Sequence, residues 1–438
     1  FGYKDLLFVD GSARFDWGST ANPNDNRVET YGGSVSFIFS KLIPQNDIIS
    51  FGKLRASAAS GPFLPARYVL SPTFDIGTPY GSSGTLSSHG TFANPQLSGG
   101  QRQDFEFGTE LKLFNNKVDL DVTYFSRKDK NLPSRVSLDG STGFTQTFLN
   151  SGQQTSSGIE IGINFSPIKS EDFEWNVYSN FSTLKRKVDA IADGVDVNVL
   201  SESWRGIQLQ ERVGEEWGAI YGRAFRRDAD GNMILSSTGN PLYDTNQYLG
   251  NVLPDFTGGL SNNIRYKNFN LSFLIDIQKG GDVFSLDTWY GYATGLYDFT
   301  AGTNELGNPV RNSNATGGGI ILPGVQADGT PNTVRAAANT YGNPWGYARA
   351  AQSQHVYDAS FVKLREVSLS YVFPKDLINK FSLENLSFSV IGRNLWIIHK
   401  NTPYSDPEAG LGSGNIQGYQ SGAYPAVKEI GASLKFEF

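Results

Sequence analysis

The chain has 438 residues, with 37 Lys and Arg against 43 Asp and Glu, a formal net charge of −6 and no basic run, which argues against a nucleic-acid-binding surface. It contains no cysteine, so thiolate metal sites and disulfides are excluded, and a single Met stands beside 30 Phe, 20 Tyr and 49 Gly. That composition suits strands and tight turns and offers little material for helices. Mean hydropathy is −0.32 and no stretch reaches the roughly 18 apolar residues of a membrane helix. A β-barrel is compatible with both, because its strands alternate lipid-facing and lumen-facing side chains.

Alternation begins at once. In "LFVDGSARFDW", Leu7, Val9, Gly11, Ala13, Phe15 and Trp17 share one face and Asp10, Ser12, Arg14 and Asp16 the other. The opening "FGYKDLLFVD" enters this pattern directly, with neither an initiator Met nor a signal sequence, and is expected to be part of something longer. "YGGSVSFIF" repeats the pattern with Tyr31, Val35, Phe37 and Phe39. In "FEFGTELKL", Phe105, Phe107, Leu111 and Leu113 oppose Glu106, Glu110 and Lys112; after an Asn115–Asn116 turn, Val118, Leu120, Val122 and Tyr124 oppose Asp119, Asp121 and Thr123. "GIEIGINF", "FEWNVYSNF", "FTGGLSNNIRY", "FNLSFLIDI", "VSLSYVF" and "LSFSVIGRNLW" behave likewise. The chain ends on "EIGASLKFEF", where Ile430, Ala432, Leu434, Phe436 and Phe438 make one apolar ladder.

Short links at 41–47, 115–117, 167–172, 267–268 and 374–384 alternate with long ones at 18–27, 60–103, 128–153, 185–254, 280–358 and 400–423. Such alternation is expected of an outer-membrane barrel with tight periplasmic turns and long outer loops. The fold expected is all-β, a transmembrane antiparallel β-barrel of roughly 12 to 14 strands, the upper figure allowing a further pair within 185–254. Residues 1–438 form one barrel unit with a large outer loop at 280–358, and the C-terminus lies on the periplasmic side.

Several stretches, in order, resemble the SusC-like (RagA/SusC) class of TonB-dependent outer-membrane transporters of Bacteroidetes. They are "KLRASAASG" at 53–61, "FLNSGQQTSSGIEIGI" at 148–163, "GEEWGAIYG" at 214–222 (with Glu216 where proline is common) and "GNVLPDFTGG" from Gly250. "YDASFVKLREVSLSYVFP" at 357–374 and "GRNLWIIHKNTPYSDPEAG" at 392–410 complete the series. The resemblance implies the C-terminal part of a barrel of about 22 strands whose lumen a plug fills. It implies import of oligosaccharide or oligopeptide with a SusD-like lipoprotein lid, TonB coupling through an N-terminal part not seen here, contact with outer-membrane lipid, and often a dimer of transporter–lid pairs. The last strand resembles the signal that the barrel assembly machinery reads, carried by Gly431, Leu434, Phe436 and Phe438. A passive pore and a soluble carbohydrate-binding β protein are the competing readings.

No catalytic, cofactor or metal constellation is expected. His89, His355 and His399 show no ligand spacing, and "RRDADGNMIL" at 226–235 lacks the order of a calcium loop, reading instead as an Asp-Gly turn. "DPE" at Asp406–Glu408 reads as a loop staple. Trp289, Tyr290, Tyr292, Tyr297, Tyr341, Trp345 and Tyr347 crowd the loop 280–358 and are the candidates for substrate or lid contact, since aromatic faces stack on sugars and tyrosines add a hydrogen-bonding tip. Trp17, Trp175 and Trp396 are expected in an interfacial aromatic girdle.

Overall fold

A computed structural model describes the whole chain except Gln45, Trp204, Arg205, Tyr341, Tyr347, Ala348, Arg349, Ser382 and Pro425. The strands used below are β1 (Leu7–Trp17), β2 (Arg27–Phe37), β3 (Ile49–Phe63), β4 (Gly100–Leu113), β5 (Val118–Ser137), β6 (Gln146–Lys169) and β7 (Phe173–Ser182). There follow β8 (Lys185–Ala190), β9 (Val197–Ser203), β10 (Ile207–Arg212), β11 (Ala219–Phe225), β12 (Tyr243–Asn251), β13 (Pro254–Tyr266), β14 (Phe269–Gly280) and β15 (Asp282–Ser285). Helix α1 (Leu286–Thr294) and strands β16 (Val356–Asp358), β17 (Phe361–Val372), β18 (Asn385–Lys400), β19 (Tyr419–Gln420) and β20 (Glu429–Glu437) complete the set.

One 15-stranded sheet dominates, in the order β1-β2-β3-β4-β5-β6-β7-β13-β14-β17-β18-β20 with three short attachments at 2–3, 91–92 and 185–190. Every pair along the path is antiparallel. The sheet does not close on itself within this chain: β1 and β20 are its edges. The region 185–254 adds no pair to the wall. It folds as a separate four-stranded sheet, β9-β10-β11-β12, and only β8 attaches to the wall, beside β6.

Alternation sorts the two faces as expected. Phe105 and Phe107 of β4, Tyr124 of β5, Ile159, Ile163 and Phe165 of β6 and Phe388 and Val390 of β18 are exposed on the outside of the sheet. The inside carries charge held by charge across neighbouring strands: Lys53 on Glu110 at 2.5 Å, Arg127 on Asp104 at 2.5 Å, and Arg102 on Asp129 at 2.8 Å. Arg55 reaches over β4 to grip both oxygens of Asp121, at 2.6 and 2.7 Å. Such bidentate pairs have the planar geometry that suits Arg and carboxylate. Trp17 and Trp396 are exposed, and Trp175, half-buried on the same outer face as Ile264, donates from Nε1 to Asn262 at 3.1 Å.

Turns at the short-link end are tight because residues with left-handed backbone supply them: Phe114, Asn115 and Asn116 with φ of 54°, 57° and 62°, and Lys267 with φ of 51°. β20 ends there, Glu384 donating its N–H to the Glu437 carbonyl at 2.7 Å. At the other end β5 and β6 run 20 and 24 residues, about twice a bilayer crossing, and their outer halves stand clear of it. Gly158 marks where β7 gives way to β8 beside β6. A Cβ there would lie 2.0 Å from the Thr183 carbonyl oxygen, a backbone atom with little room to move.

Gly158→Ala is therefore expected to destabilise the barrel by at least about 2 kcal/mol. Gly11→Ala, whose Cβ meets nothing within 4 Å, is expected to change stability by less than about 0.5 kcal/mol. Thermal unfolding of the detergent-solubilised barrel, followed by heat-modifiable gel mobility, measures both.

Candidate functional site in the loop crown

The long loops fold onto one another. Base strand β15 pairs antiparallel with β16, closing the loop 280–358, and parallel with β19, which brings in the loop 400–423. Helix α1, absent from the sequence reading, starts at Ser285, whose Oγ accepts the Thr288 N–H at 3.2 Å, and ends at Gly295 with φ of 81°. Arg311 caps its C-terminus, donating to the carbonyls of Ala293 at 3.1 Å and Tyr292 at 3.0 Å, where the helix dipole favours a cation.

Three of the candidate aromatics form the interior of this loop. Trp289 is fully buried, between Phe284 at 6.0 Å and His355 at 5.2 Å; Tyr292 and Trp345 are buried in an adjoining cluster with Val310 and Ala338. Tyr290 is exposed, and Tyr297, half-buried, stacks at 4.1 Å on exposed Tyr404, with Phe299 beside Tyr292 at 4.6 Å. Tyr341 and Tyr347 lie outside the described residues. The C-terminal set is open to the surroundings: Leu434, Phe436 and Phe438 are exposed, the two rings 5.5 Å apart, and a Cβ added to Gly431 would meet nothing within 4 Å.

His355 has no exposed surface. Its Nε2 faces the Trp345 carbonyl at 3.1 Å and so carries the hydrogen, leaving Nδ1 to accept from the Thr288 hydroxyl at 3.0 Å. Burial pushes its pKa from 6.5 down to about 3, against a smaller opposing effect of the Trp345 carbonyl. Among the described residues no group of His, Asp and Glu could hold a metal. Asp228 spends its carboxylate inside its own turn, accepting from the N–H groups of Asp230 and Asn232 at 3.0 and 2.8 Å.

"DPE" is a staple with named partners. Lys363, almost wholly buried, donates to Asp406 at 2.5 Å and to Glu408, and Arg365 bridges Glu408 at 2.5 Å to Asp276 at 2.6 Å. Burial pushes both loop carboxyls up, and the bonds from Lys363 and Arg365 outweigh it, so both end below the usual carboxylate range. This ties the loop after β18 to the ends of β14 and β17.

The site with the most chemistry is a cavity of about 560 Å³ between the outer halves of β5 and β6 and the loops above. Gln154 of β6 stands at its centre, accepting from Arg186 Nε at 2.7 Å and donating to Glu211 at 2.6 Å; Asn198 donates to the other Glu211 oxygen at 3.2 Å. Burial raises the Glu211 carboxyl pKa above its usual range, and these hydrogen bonds only partly offset that. Arg186 lies over Trp217 at 4.6 Å and Arg135 over Phe148 at 5.2 Å. Asn415 and Gln417 complete the rim. Asn251 holds Trp217 in place by donating to its carbonyl at 3.0 Å, and itself sits beside Gly250, where a Cβ would run into Asp282 at 2.3 Å. Trp217 and Asn251 fall within stretches that the sequence reading singled out. So does Gln154, within 148–163; Arg186, Asn198, Glu211 and Asn415 carried no local signal, because they come from four separate segments.

Similarity to known proteins agrees with this architecture. The Outer membrane protein beta-barrel family matches residues 88–222. TonB-dependent receptor P3 of Formosa agariphila is 26% identical across 100% of this chain and 44% of its own length, and TonB-dependent receptor SusC of Bacteroides thetaiotaomicron is 21% identical across 82% of this chain and 34% of its own. The structure of the RagAB peptide transporter superposes with a TM-score of 0.76 at 18% identity, covering 100% of this chain and 46% of the other. The chain is an outer-membrane β-barrel protein. Within that class it is similar along its length to SusC-like TonB-dependent receptors, and it spans less than half the length of the curated relatives it matches. These relatives are receptors, not enzymes, and the reading as a soluble sugar-binding protein is overturned by the outer-membrane barrel that fold and relatives share.

Because His355 must stay neutral, its contribution is full above pH 6.5 and is lost as pH falls from 6.5 toward 3. At pH 5 the loop should be about 2 kcal/mol less stable than at pH 7. Amide exchange of residues 284–294, corrected for intrinsic rate, should accelerate accordingly in the native protein and not in His355→Gln. Lys363→Met leaves Asp406 and Glu408 short of a partner at a buried site, a change of about 3 kcal/mol. Limited proteolysis should then cut within 401–410, where the native chain resists.

Proposed function

We propose that this chain forms the passage of an active outer-membrane importer, in which a SusD-like lipoprotein closes over the crown and TonB supplies the energy. The remaining length of the relatives would provide the coupling segment, the plug and the strands that meet β1 and β20. Residues 1–438 then count as one barrel unit with 280–358 as its largest outer loop, and its C-terminus is periplasmic. Of the two cargo classes that the resemblance allows, an oligopeptide is the better fit. The cavity beneath the crown carries this reading: it presents side-chain amides at Asn415 and Gln417 and a guanidinium at Arg135, around Gln154 and Asn198, whose amides are held by Arg186 and Glu211. These suit main-chain amides and carboxylates, whereas the Trp217 face that a sugar ring would use is already covered by Arg186. One structural relative is described as a peptide transporter, which supports the same choice.

Of the candidates, Tyr290 and half-buried Tyr297 remain for contact with the lid or arriving cargo, joined by exposed Phe299, while Trp289, Tyr292 and Trp345 shape the loop that presents them. Gly431, Leu434, Phe436 and Phe438 are proposed as the assembly signal, their apolar side free for an assembly factor.

Cells expressing the full-length protein should take up labelled oligopeptides, lose that uptake when TonB is deleted, and take up oligosaccharides no faster than a deletion strain. Arg135→Ala with Asn198→Ala should reduce peptide uptake about tenfold at unchanged surface abundance. Uptake of oligosaccharide alone would overturn the cargo, and TonB-independent conductance would favour the passive pore.

A further inference from the structure

Along the outside of the sheet, the apolar band stops at one row. On β4 it runs up to Phe105 and is followed by Gln103 and Gln101; on β5 it runs to Tyr124 and is followed by Ser126, Lys128 and Lys130; on β6 it runs to Ile159 and is followed by Ser157 and Thr155. From Val118 to Lys128 is about the 9–11 residues of one bilayer crossing, so Lys128 stands at the outer hydrocarbon boundary.

Register places two further lysines beside it. Thr155 pairs with Lys128 on one side and Lys187 on the other, and Ser157 pairs with Ser126 and Lys185. Lys128, Lys130, Lys185 and Lys187 therefore share the outward face, Lys128 and Lys187 about 10 Å apart across β6 and the outermost pair, Lys130 and Lys185, about 17 Å apart by strand spacing. Among the described residues none of them forms an ion pair, although 17 pairs occur elsewhere in the chain. The nearby outward carboxylate of Asp189 is taken by the Thr155 hydroxyl at 2.5 Å, and Glu216, bridged by backbone to Lys187, makes no ion pair.

A groove of about 620 Å³ leads away from Lys128 across β4, β3 and β2. Gly33, Ala58, Ser60 and Ser126 make its floor, and Tyr31 and Phe105 its apolar walls. A floor of small side chains beside unpaired cations at the hydrocarbon boundary fits an amphiphile with an anionic head and flexible chains.

We propose that this face binds a phosphorylated lipid of the outer leaflet, the phosphate seated among Lys128, Lys130, Lys185 and Lys187 and one acyl chain lying in the groove. Charge complementarity selects the headgroup, and the groove selects a lipid over a soluble anion. The site is separate from the cargo cavity: Arg186, between two of these lysines in sequence, points to the opposite face.

The test titrates the full-length protein in detergent with diphosphoryl lipid A, with the same lipid after enzymatic removal of its phosphates, and with inorganic phosphate, counting bound lipid by native mass spectrometry. At roughly fivefold per lysine near a charged surface, K128Q/K130Q/K185Q/K187Q should bind diphosphoryl lipid A several-hundredfold more weakly, and the pair K128Q/K187Q should lose about 25-fold if the full set fails to fold. Lys117→Gln, at the opposite end of β5, should change nothing. Equal affinity in native and substituted proteins, undiminished binding of the dephosphorylated lipid, or equally tight capture of inorganic phosphate would each overturn the assignment.

Discussion

Hydrocarbon offers no partner to a peptide group, so each strand that crosses it must satisfy its N–H and C=O groups on a neighbouring strand. The antiparallel path from β1 to β20 meets that demand and everything else hangs from it. Register follows, because a slip of one residue would turn Phe105, Tyr124 and Ile159 into the lumen and Asp104, Arg127 and Asp129 into lipid. The register shifts in β6 fall at Asn150–Gln154, in the part that stands clear of the bilayer, and at Phe165–Ile168, beside the short turns, while another falls mid-strand at Leu274–Ile275 of β14.

Within that frame the inward face is held by ion pairs rather than by an apolar core. Arg55, Arg102 and Arg127 each cross to a carboxylate on another strand. The apolar cores of this chain lie instead in the crown, around Trp289 and Phe284, around Tyr292 and Trp345, and around Trp217 and Val188. Loops of this length are stable because they bury such clusters and are pinned to the wall by β15, β19 and the Lys363–Asp406–Glu408 staple. The cavity thus lies between the wall and loops that are pinned to it.

β8 shows how alternation lets six residues serve two environments. Arg186 and Val188 face the cavity and its core, while Lys185 and Lys187 face the bilayer side. The same rule that hides charge from lipid in the crossing segment presents charge to it one row above the apolar band.

Strand identity, face and end-to-end order were legible in the sequence because period-2 alternation is local and the lipid demands it along every crossing. The staple at Asp406–Glu408 and the aromatic density of 280–358 were legible too, as residue types. What the aromatics do was not: whether Trp289 is a surface or a core depends on a helix that composition gave no reason to expect and on His355, 66 positions away. Nor could the cavity be read, since Gln154, Arg186, Asn198 and Glu211 meet only after four segments fold over the strand ends. Alternation is a property of neighbours in sequence, and a binding cavity is a property of neighbours in space.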